Sequence, residues 1–132
     1  MKKFTRAIAA GLAAMTLISG ASLYADAGSY YRYGDVNNDG LINISDCTIV
    51  NSAISKFSSL TGDSNLPVEY AVARPAVYFP DVDTPVPQAA DTNQDGYINQ
   101  QDADDIMSYY AKSGAGVLDQ YTGNCGVYFY VP

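Results

Sequence analysis

A twelve-residue segment that occurs twice constrains this chain more than any other feature of its sequence. The first copy, at 35–46, reads DVNNDGLINISD, and the second, at 91–102, reads DTNQDGYINQQD. Seven of the twelve positions are identical, and the copies are 56 residues apart. A single segment of this kind is typical of a polar surface turn, because Asp, Asn and Gly are common turn residues. Two copies in register instead predict a repeated binding loop.

The pattern follows the EF-hand calcium loop, which has oxygen ligands at positions 1, 3, 5, 7 and 12 and Gly at position 6. Ca²⁺ takes six to eight oxygens at about 2.3–2.6 Å, so the chain must wrap round the ion. Position 7 supplies a main-chain oxygen, and Mg²⁺ is the poorer fit because it demands strict octahedral geometry. We predict two Ca²⁺ ions, with the ligands Asp35, Asn37, Asp39, Leu41 and Asp46 in the first loop and Asp91, Asn93, Asp95, Tyr97 and Asp102 in the second.

Positions 8, 9 and 12 of the loops carry further expectations. Ile42 and Ile98, at position 8, are expected to pair in a short strand between the loops and to point into the core. Asn43 and Asn99, at position 9, are expected to reach the ion mainly through water. Position 12 is Asp in both loops, where the common EF-hand has the longer Glu. We therefore expect each following helix to lie closer to its ion.

An apolar pattern of helical period follows each loop and predicts two amphipathic helices, the first of about three turns. No helix is expected before either loop, because 29–34 is aromatic and ends in Gly and 85–88 contains two prolines. The repeated unit is therefore a loop followed by a helix, and the two helices are expected to pack antiparallel through their apolar faces. The residues of these faces are Cys47, Val50, Ile54 and Phe57 in the first helix and Ala103, Ile106 and Tyr110 in the second.

The first 27 residues have the pattern of a secretory signal peptide. Three basic residues precede an apolar run at about 7–18, and the Ala-Asp-Ala sequence at 25–27 resembles a cleavage site. The run is shorter than the roughly 20 residues that a membrane-spanning helix needs. We therefore expect a secreted mature chain that begins near Gly28 and is free of the membrane.

Charge and composition exclude several classes of function. Without residues 1–27, four basic residues stand against 13 acidic ones, a net charge of −9, so nucleic acid is not expected as a partner. The chain has no His, which excludes histidine-dependent triads and His-ligated zinc. Two carboxylates can serve a glycosidase, but six of the 13 acids are assigned to Ca²⁺ and the others are typical of solvated positions. We therefore expect no enzymatic activity.

A tandem of calcium loops, each with Asp at position 12 and each followed by one helix, resembles the dockerin family. Dockerins are modules that plug into cohesin domains of bacterial multi-enzyme scaffolds for polysaccharide breakdown. The resemblance covers about residues 30–132 and implies a three-helix, all-α fold with pseudo-twofold symmetry. It also implies a protein that is extracellular or assembled on a cell-surface scaffold, with a cohesin domain as its partner. We expect a monomer when the protein is free.

The resemblance further implies that loop positions 10 and 11, and positions 17, 18 and 22 counted from the loop start, recognise the partner. The two faces have an apolar anchor at different places, so we expect one preferred docking orientation. Alternatively, these apolar side chains only cover the core. The residues are Ile44, Ser45, Asn51, Ser52 and Lys56 in the first repeat and Gln100, Gln101, Met107, Ser108 and Lys112 in the second.

The segment between the repeats departs from the family pattern, since the loops are 56 residues apart where dockerins more often have a separation in the thirties. Five prolines within 58–90 exclude a long continuous helix there, and 68–73 is expected to be a short helix or strand. The segment is either a linker packed on the domain or a second recognition surface. We divide the chain into a signal peptide at 1–27 and a dockerin-like domain at 28–132, with loop–helix repeats at 35–57 and 91–113, an insertion at 58–90 and a C-terminal clasp at 114–132.

The sequence leaves three questions open: the state of the two cysteines, the kind of partner and the role of the tyrosines. Cys47 and Cys125 either form a disulfide, as an even pair in an exported protein suggests, or are buried free thiols, since Ala103 is the equivalent of Cys47. The protein as a whole is a cohesin-docking module, a Ca²⁺-stabilised module that binds carbohydrate or a cell surface, or a Ca²⁺-stabilised secreted protein without a partner. Six tyrosines near the domain ends either clasp the open side of the core or form a platform for sugar rings: Tyr30, Tyr31, Tyr33, Tyr121, Tyr128 and Tyr130.

Overall fold

The computed structural model describes residues 28–132, so the predicted signal peptide lies outside the described residues. Residues 31–129 form one compact unit, and the other described residues, at 28–30 and 130–132, belong to a second. No helix in the described part is long and apolar enough to span a membrane. The fold is mostly helical, and its elements are β1 (Ser29–Arg32), α1 (Ile44–Thr61), β2 (Leu66–Pro67), α2 (Val68–Ala73), α3 (Pro75–Tyr78), a 3₁₀ turn (Pro87–Ala90), β3 (Tyr97–Ile98), α4 (Gln100–Gly114), a 3₁₀ turn (Leu118–Gln120) and β4 (Tyr128–Val131).

The first long helix, α1, begins at position 10 of the first loop and continues beyond it. Its 18 residues make about five turns, where the sequence predicted three. Gly62 ends the helix in the left-handed conformation, with φ of 79°, and donates its N–H to the Ser58 carbonyl at 2.8 Å. The predicted apolar face is confirmed: Cys47, Val50 and Phe57 are buried, and Ile54 is partly buried against the same core.

The second long helix, α4, begins at the same position of the second loop. Ala103 and Ile106 are fully buried, as predicted. The prediction that Tyr110 shares this face is wrong, because Tyr110 is 42 % exposed. Tyr109 packs against the core in its place and meets the Tyr121 ring edge-to-face, with centroids 5.3 Å apart. Tyr121, from the C-terminal segment, is thus the aromatic partner of Tyr109, which lies one position before the residue that the sequence pattern indicated.

The two long helices pack against each other, and their first turns meet. The Sγ atom of Cys47 lies 3.6 Å from the main-chain oxygen of Ala103. Val50, Ala53 and Ile106 are fully buried in the same core. Burying a Val or Ile side chain contributes roughly 1.5–3 kcal/mol, so this contact holds the two repeats together.

The segment between the long helices is built into the core. The implied three-helix fold is not matched in residues 28–132, because α2 and α3 are two short helices. Pro67 precedes α2, Pro75 begins α3, and Pro80 follows shortly after the end of α3, so no single helix extends across this segment. The side chains of this segment that are buried are Leu66, Ala71, Tyr78, Phe79, Val86, Pro87, Ala89 and Ala90.

The same segment also supplies a strand. β2 pairs antiparallel with β3, with Leu66 opposite Ile98 and Pro67 opposite Tyr97. The prediction that Ile42 pairs with Ile98 is therefore wrong. Both isoleucines are nevertheless buried, as predicted, with Ile42 only 7 % exposed. The pairing partner of Ile98 comes from the insertion and not from the other loop.

The two ends of the described chain meet in a second sheet, in which β1 pairs with β4. The ring of Tyr33 stacks on Phe129 at 4.3 Å, and the rings of Tyr30 and Tyr130 lie 5.0 Å apart. Tyr121 lies elsewhere, against α4. Of the two alternatives for the cysteines, the structure has the free thiols, since Cys47 and Cys125 are both buried and unbridged.

Candidate metal centre

The first half of the first loop is folded round the Asp35 carboxylate. Its Oδ1 accepts the N–H of Asp39 at 3.1 Å, and its Oδ2 accepts the N–H of Gly40 at 3.0 Å. Asn38 and Gly40 have positive φ angles of 57° and 87°, which bend the backbone round this side chain. Because Gly reaches such angles at little cost, its place at position 6 permits the sharp turn.

Asp46, at loop position 12, closes the loop from the helix side. It is fully buried, and its Oδ1 accepts the N–H of Val36 at 2.9 Å. Its Oδ2 accepts the N–H of Asn43 at 3.0 Å, within the first turn of α1. One carboxylate therefore joins the start of the loop to the start of the helix.

Three carboxylates converge in this loop. One oxygen from each of Asp35, Asp39 and Asp46 lies within 4.8 Å of the others, and no other such group of acids is present in the described part of the chain. Burial raises the pKa of Asp35 to about 6, and the charge of Asp46 adds to this rise. Burial likewise raises the pKa of Asp46. These shifts show that the cluster carries more negative charge than its surroundings stabilise.

No basic side chain neutralises this cluster within residues 28–132. Arg32 is close in sequence, but its Nη2 donates to the main-chain oxygen of Gly40 at 2.7 Å and not to a carboxylate. The atoms that this cluster offers as metal ligands are all oxygens, which are the ligands that a hard divalent cation prefers. The residues present therefore fit Ca²⁺, which would supply the missing positive charge and hold the loop to its helix.

The second loop repeats most of these hydrogen bonds. The exception is Asp102 Oδ1, which accepts the hydroxyl of Thr92 at 3.3 Å where Asp46 Oδ1 accepts the N–H of Val36. Asp91 accepts the N–H groups of Asp95 at 3.3 Å and Gly96 at 2.9 Å, and Asp102 accepts that of Asn99 at 2.9 Å. Burial raises the pKa of Asp102 to about 6, and the charges of Asp91 and Asp95 contribute. Positive φ angles occur at the same two positions as in the first loop, at 94 and 96. The two loops therefore have the same backbone conformation. Among the acids of the described residues, only those of the first loop bring three carboxylate oxygens within 4.8 Å of one another.

The residues at positions 3, 5 and 7 also bond within each loop. Asn37 Oδ1 accepts the N–H of Asp39 at 3.3 Å, and Asp39 Oδ1 accepts that of Leu41 at 2.9 Å. Asn93, Asp95 and Tyr97 make the same contacts in the second loop, at 3.3 and 3.0 Å. The side chains of Leu41 and Tyr97 are exposed, so these residues have only main-chain groups to offer the site.

Asn43 and Asn99 have a role that the sequence reasoning missed. Each is the N-cap of its helix, while its expected contact with the ion through water stays a prediction. Their side-chain oxygens accept the N–H groups of Ser45 at 3.0 Å and Gln101 at 3.1 Å. Each forms a capping box with the Asp of position 12, a variant of the S/T-x-x-E signature that the sequence already contained.

The predicted partner-recognition residues of the first repeat lie on the surface of α1. Ile44 is 54 % exposed although it is apolar, and it has no burial role in the core. Asn51 is partly buried, and its Nδ2 lies 3.6 Å from Cys47 Sγ. The exposed polar members of the set are Ser45, Ser52 and Lys56.

The equivalent residues of the second repeat pack against, or form hydrogen bonds with, other residues of the protein. Met107 is partly buried and packs against the core. Lys112 Nζ donates to Ser108 Oγ at 3.0 Å. Gln101 accepts from Asn93 at 3.3 Å, and Gln100 donates to Asp104 at 3.0 Å. The two faces therefore differ, with the apolar anchor exposed in the first and partly covered in the second.

Comparison with known proteins gives one family match. The model of the dockerin type I domain matches residues 33–109, which include both loops, all of α1 and most of α4. No curated protein and no solved structure matches the chain significantly.

Proposed function

The chain belongs to the dockerin type I family, and we propose that it is a secreted, Ca²⁺-dependent docking module for a cohesin domain of a bacterial polysaccharide-degrading scaffold. The observation that carries this proposal is the repeated design of the two loops, which have the same ligand spacing and the same internal hydrogen bonds. Each loop is joined to a long helix through the Asp of position 12. The matched domain is a docking domain, so we propose no reaction for it.

Two Ca²⁺ ions are proposed, one in each loop. In the first loop, the support is the triad of desolvated carboxylates without a basic partner in the described residues. In the second, it is the same set of hydrogen bonds and the raised pKa of Asp102. The proposed ligands are Asp35, Asn37, Asp39, Leu41 and Asp46 for one ion and Asp91, Asn93, Asp95, Tyr97 and Asp102 for the other.

The proposed architecture is a pseudo-twofold pair of loop–helix repeats, at 35–57 and 91–113, with an enlarged segment between them. The capping boxes at the start of α1 and α4 and the packing of these helices support the symmetry. We further propose that residues 1–27 are a signal peptide, that 28–132 fold as one dockerin-like domain, and that this domain is a monomer when free. The proposed docking residues are Ile44, Ser45, Asn51, Ser52 and Lys56 and, in the second repeat, Gln100, Gln101, Met107, Ser108 and Lys112.

Affinity capture tests this proposal. The full chain, immobilised, is exposed to secreted scaffold proteins of its own source and, in parallel, to insoluble polysaccharide, each with Ca²⁺ and with a chelator. We expect a cohesin-containing protein to be retained with Ca²⁺ and released by the chelator. Retention on polysaccharide without capture of any cohesin would contradict the proposal and favour a carbohydrate-binding module.

A further inference from the structure

The insertion builds a groove against the first long helix. The groove has a volume of about 520 Å³ and lies between α1 and residues 76–82; we call it the insertion groove. Ile49, Val77 and Val82 line it and are partly buried, which makes its surface mainly apolar. Its size falls within the range of about 300–1,000 Å³ typical of binding pockets.

The insertion groove is continuous with the proposed docking face. Ser52 and Lys56 are members of that face and also line the groove. Both are exposed, and within residues 28–132 the Lys56 ammonium forms no hydrogen bond or ion pair. In the second repeat, by contrast, Lys112 donates to Ser108 at 3.0 Å. The polar groups beside the groove therefore remain available to a partner.

The second repeat has different side chains where α1 lines the groove. Residues 56 positions after Thr48 and Ile49 are Asp104 and Asp105. Asp105 Oδ1 accepts the hydroxyl of Tyr121 at 2.8 Å, so the C-terminal segment already covers it. An apolar group that packed on these carboxylates would remove them from water, and burying a carboxylate without compensation costs free energy. An apolar side chain of a partner therefore has a place on the first repeat that the second repeat does not offer at the equivalent positions.

We propose that the insertion groove receives an apolar side chain projecting from the cohesin, and that the first repeat therefore leads docking. This inference rests on the proposed cohesin-binding function and assigns a recognition role to residues 76–82. In the preferred orientation the cohesin would contact α1, on which Lys56 lines the groove and Ile44 lies about one helical turn before the lining residue Thr48. Apolar anchors buried in pockets dominate the energy of protein interfaces, so one filled groove is enough to favour one orientation.

Two substitutions in the full-length protein test the groove. Ile49→Asp gives α1 the residue that α4 has at the equivalent position, and Ala76→Phe fills the groove from an exposed position. The matched control is Val72→Asp, because Val72 is an exposed apolar residue of the insertion that does not line the groove. Met107→Asp reports on the second face. The probe is a panel of cohesin domains from the scaffold proteins of the same source, and helix content with Ca²⁺ verifies the fold of each variant.

We expect Ile49→Asp and Ala76→Phe to weaken the affinity for the bound cohesin by about tenfold or more, and Val72→Asp by less than about threefold. Met107→Asp, on the second face, should weaken it less than either groove variant does. If Ile49→Asp disturbs the fold, the affinity of Ala76→Phe alone tests whether the groove takes part in docking. Normal binding by Ala76→Phe, or a loss confined to Met107→Asp, overturns the groove proposal while leaving the docking function intact. Failure of the unmodified chain to bind any cohesin overturns the docking function itself, and the groove proposal with it.

Discussion

The loop carboxylates act on the backbone as well as on the proposed ion. Asp35 accepts two backbone N–H groups of its own loop, and Asp46 accepts three, those of Val36, Asn37 and Asn43. These bonds shape the loop but also bring negative charges close together in a desolvated place. The arrangement therefore gains stability when a divalent cation is added.

Replacing a first-loop carboxylate tests this dual role. Asp35→Ala removes an ion ligand and the acceptor for the N–H groups of Asp39 and Gly40. We expect isothermal titration calorimetry to show that the Ca²⁺ affinity of the first loop falls by at least about tenfold. The second site should weaken too, because the repeats share one core. Asp119→Ala, at an exposed acid outside both loops, is the control, and equal Ca²⁺ affinity in the two variants would contradict the assignment.

The cysteines provide a second test at the scale of single residues. Burial raises the pKa of the Cys125 thiol to about 12 and also raises that of Cys47. A raised thiol pKa favours the protonated, unreactive form, so at pH 8 almost no thiolate is present. We expect iodoacetamide to modify neither residue quickly in the Ca²⁺-loaded protein and both after denaturation, as read by mass spectrometry. A 2 Da mass difference between reduced and unreduced protein would instead reveal a disulfide.

Among the elements, the insertion contributes more to the fold than a connecting segment does. β2 pairs with β3, in the middle of the second loop, through Leu66 and Ile98, and both residues are fully buried. Tyr78 and Phe79, at and just after the end of α3, are buried in the same core, where Tyr78 meets the Phe57 ring edge-to-face. The insertion thus joins the second loop to α1.

A matched pair of leucine substitutions measures this contribution. Leu66 is fully buried, whereas Leu60, near the end of α1, is 59 % exposed. Leu66→Ala should lower the free energy of unfolding by about 2–5 kcal/mol, and Leu60→Ala by about 0.5 kcal/mol or less. Denaturant unfolding in saturating Ca²⁺ gives both values. Similar losses for the two variants would mean that the insertion does not belong to the cooperative core.

The elements that the sequence predicted correctly are those with local causes. The turn at the Gly of position 6 is determined within its own loop, and the buried face of α1 follows from its own periodicity. The partner of Ile98 was mispredicted because Leu66 lies in a segment without periodicity, more than thirty residues away. Tyr109 packs against the core instead of Tyr110, and its ring partner, Tyr121, lies beyond the end of α4 and outside the helical pattern. Long-range pairing of this kind leaves no trace in a single segment.

At the scale of the whole molecule, charge and size set the need for an ion. Residues 28–132 carry a net charge of −9, and two Ca²⁺ ions would change it to −5. A domain of about 100 residues buries a small core, which leaves little free energy to offset the repulsion inside two acidic loops. The surface proposed for docking begins within those loops and continues along the helices that follow them. Calcium is therefore expected to control binding through the fold.

Titration of Ca²⁺ into the metal-free protein tests this account most directly. Calorimetry gives the number of ions, and circular dichroism on the same samples gives the helix content. We expect two ions per chain and a large gain of helix on binding, reversed by a chelator, because each ion ties a loop to the first turn of its helix. A helix content that does not change between chelator and Ca²⁺, or the binding of no ion by the intact chain, would contradict the account.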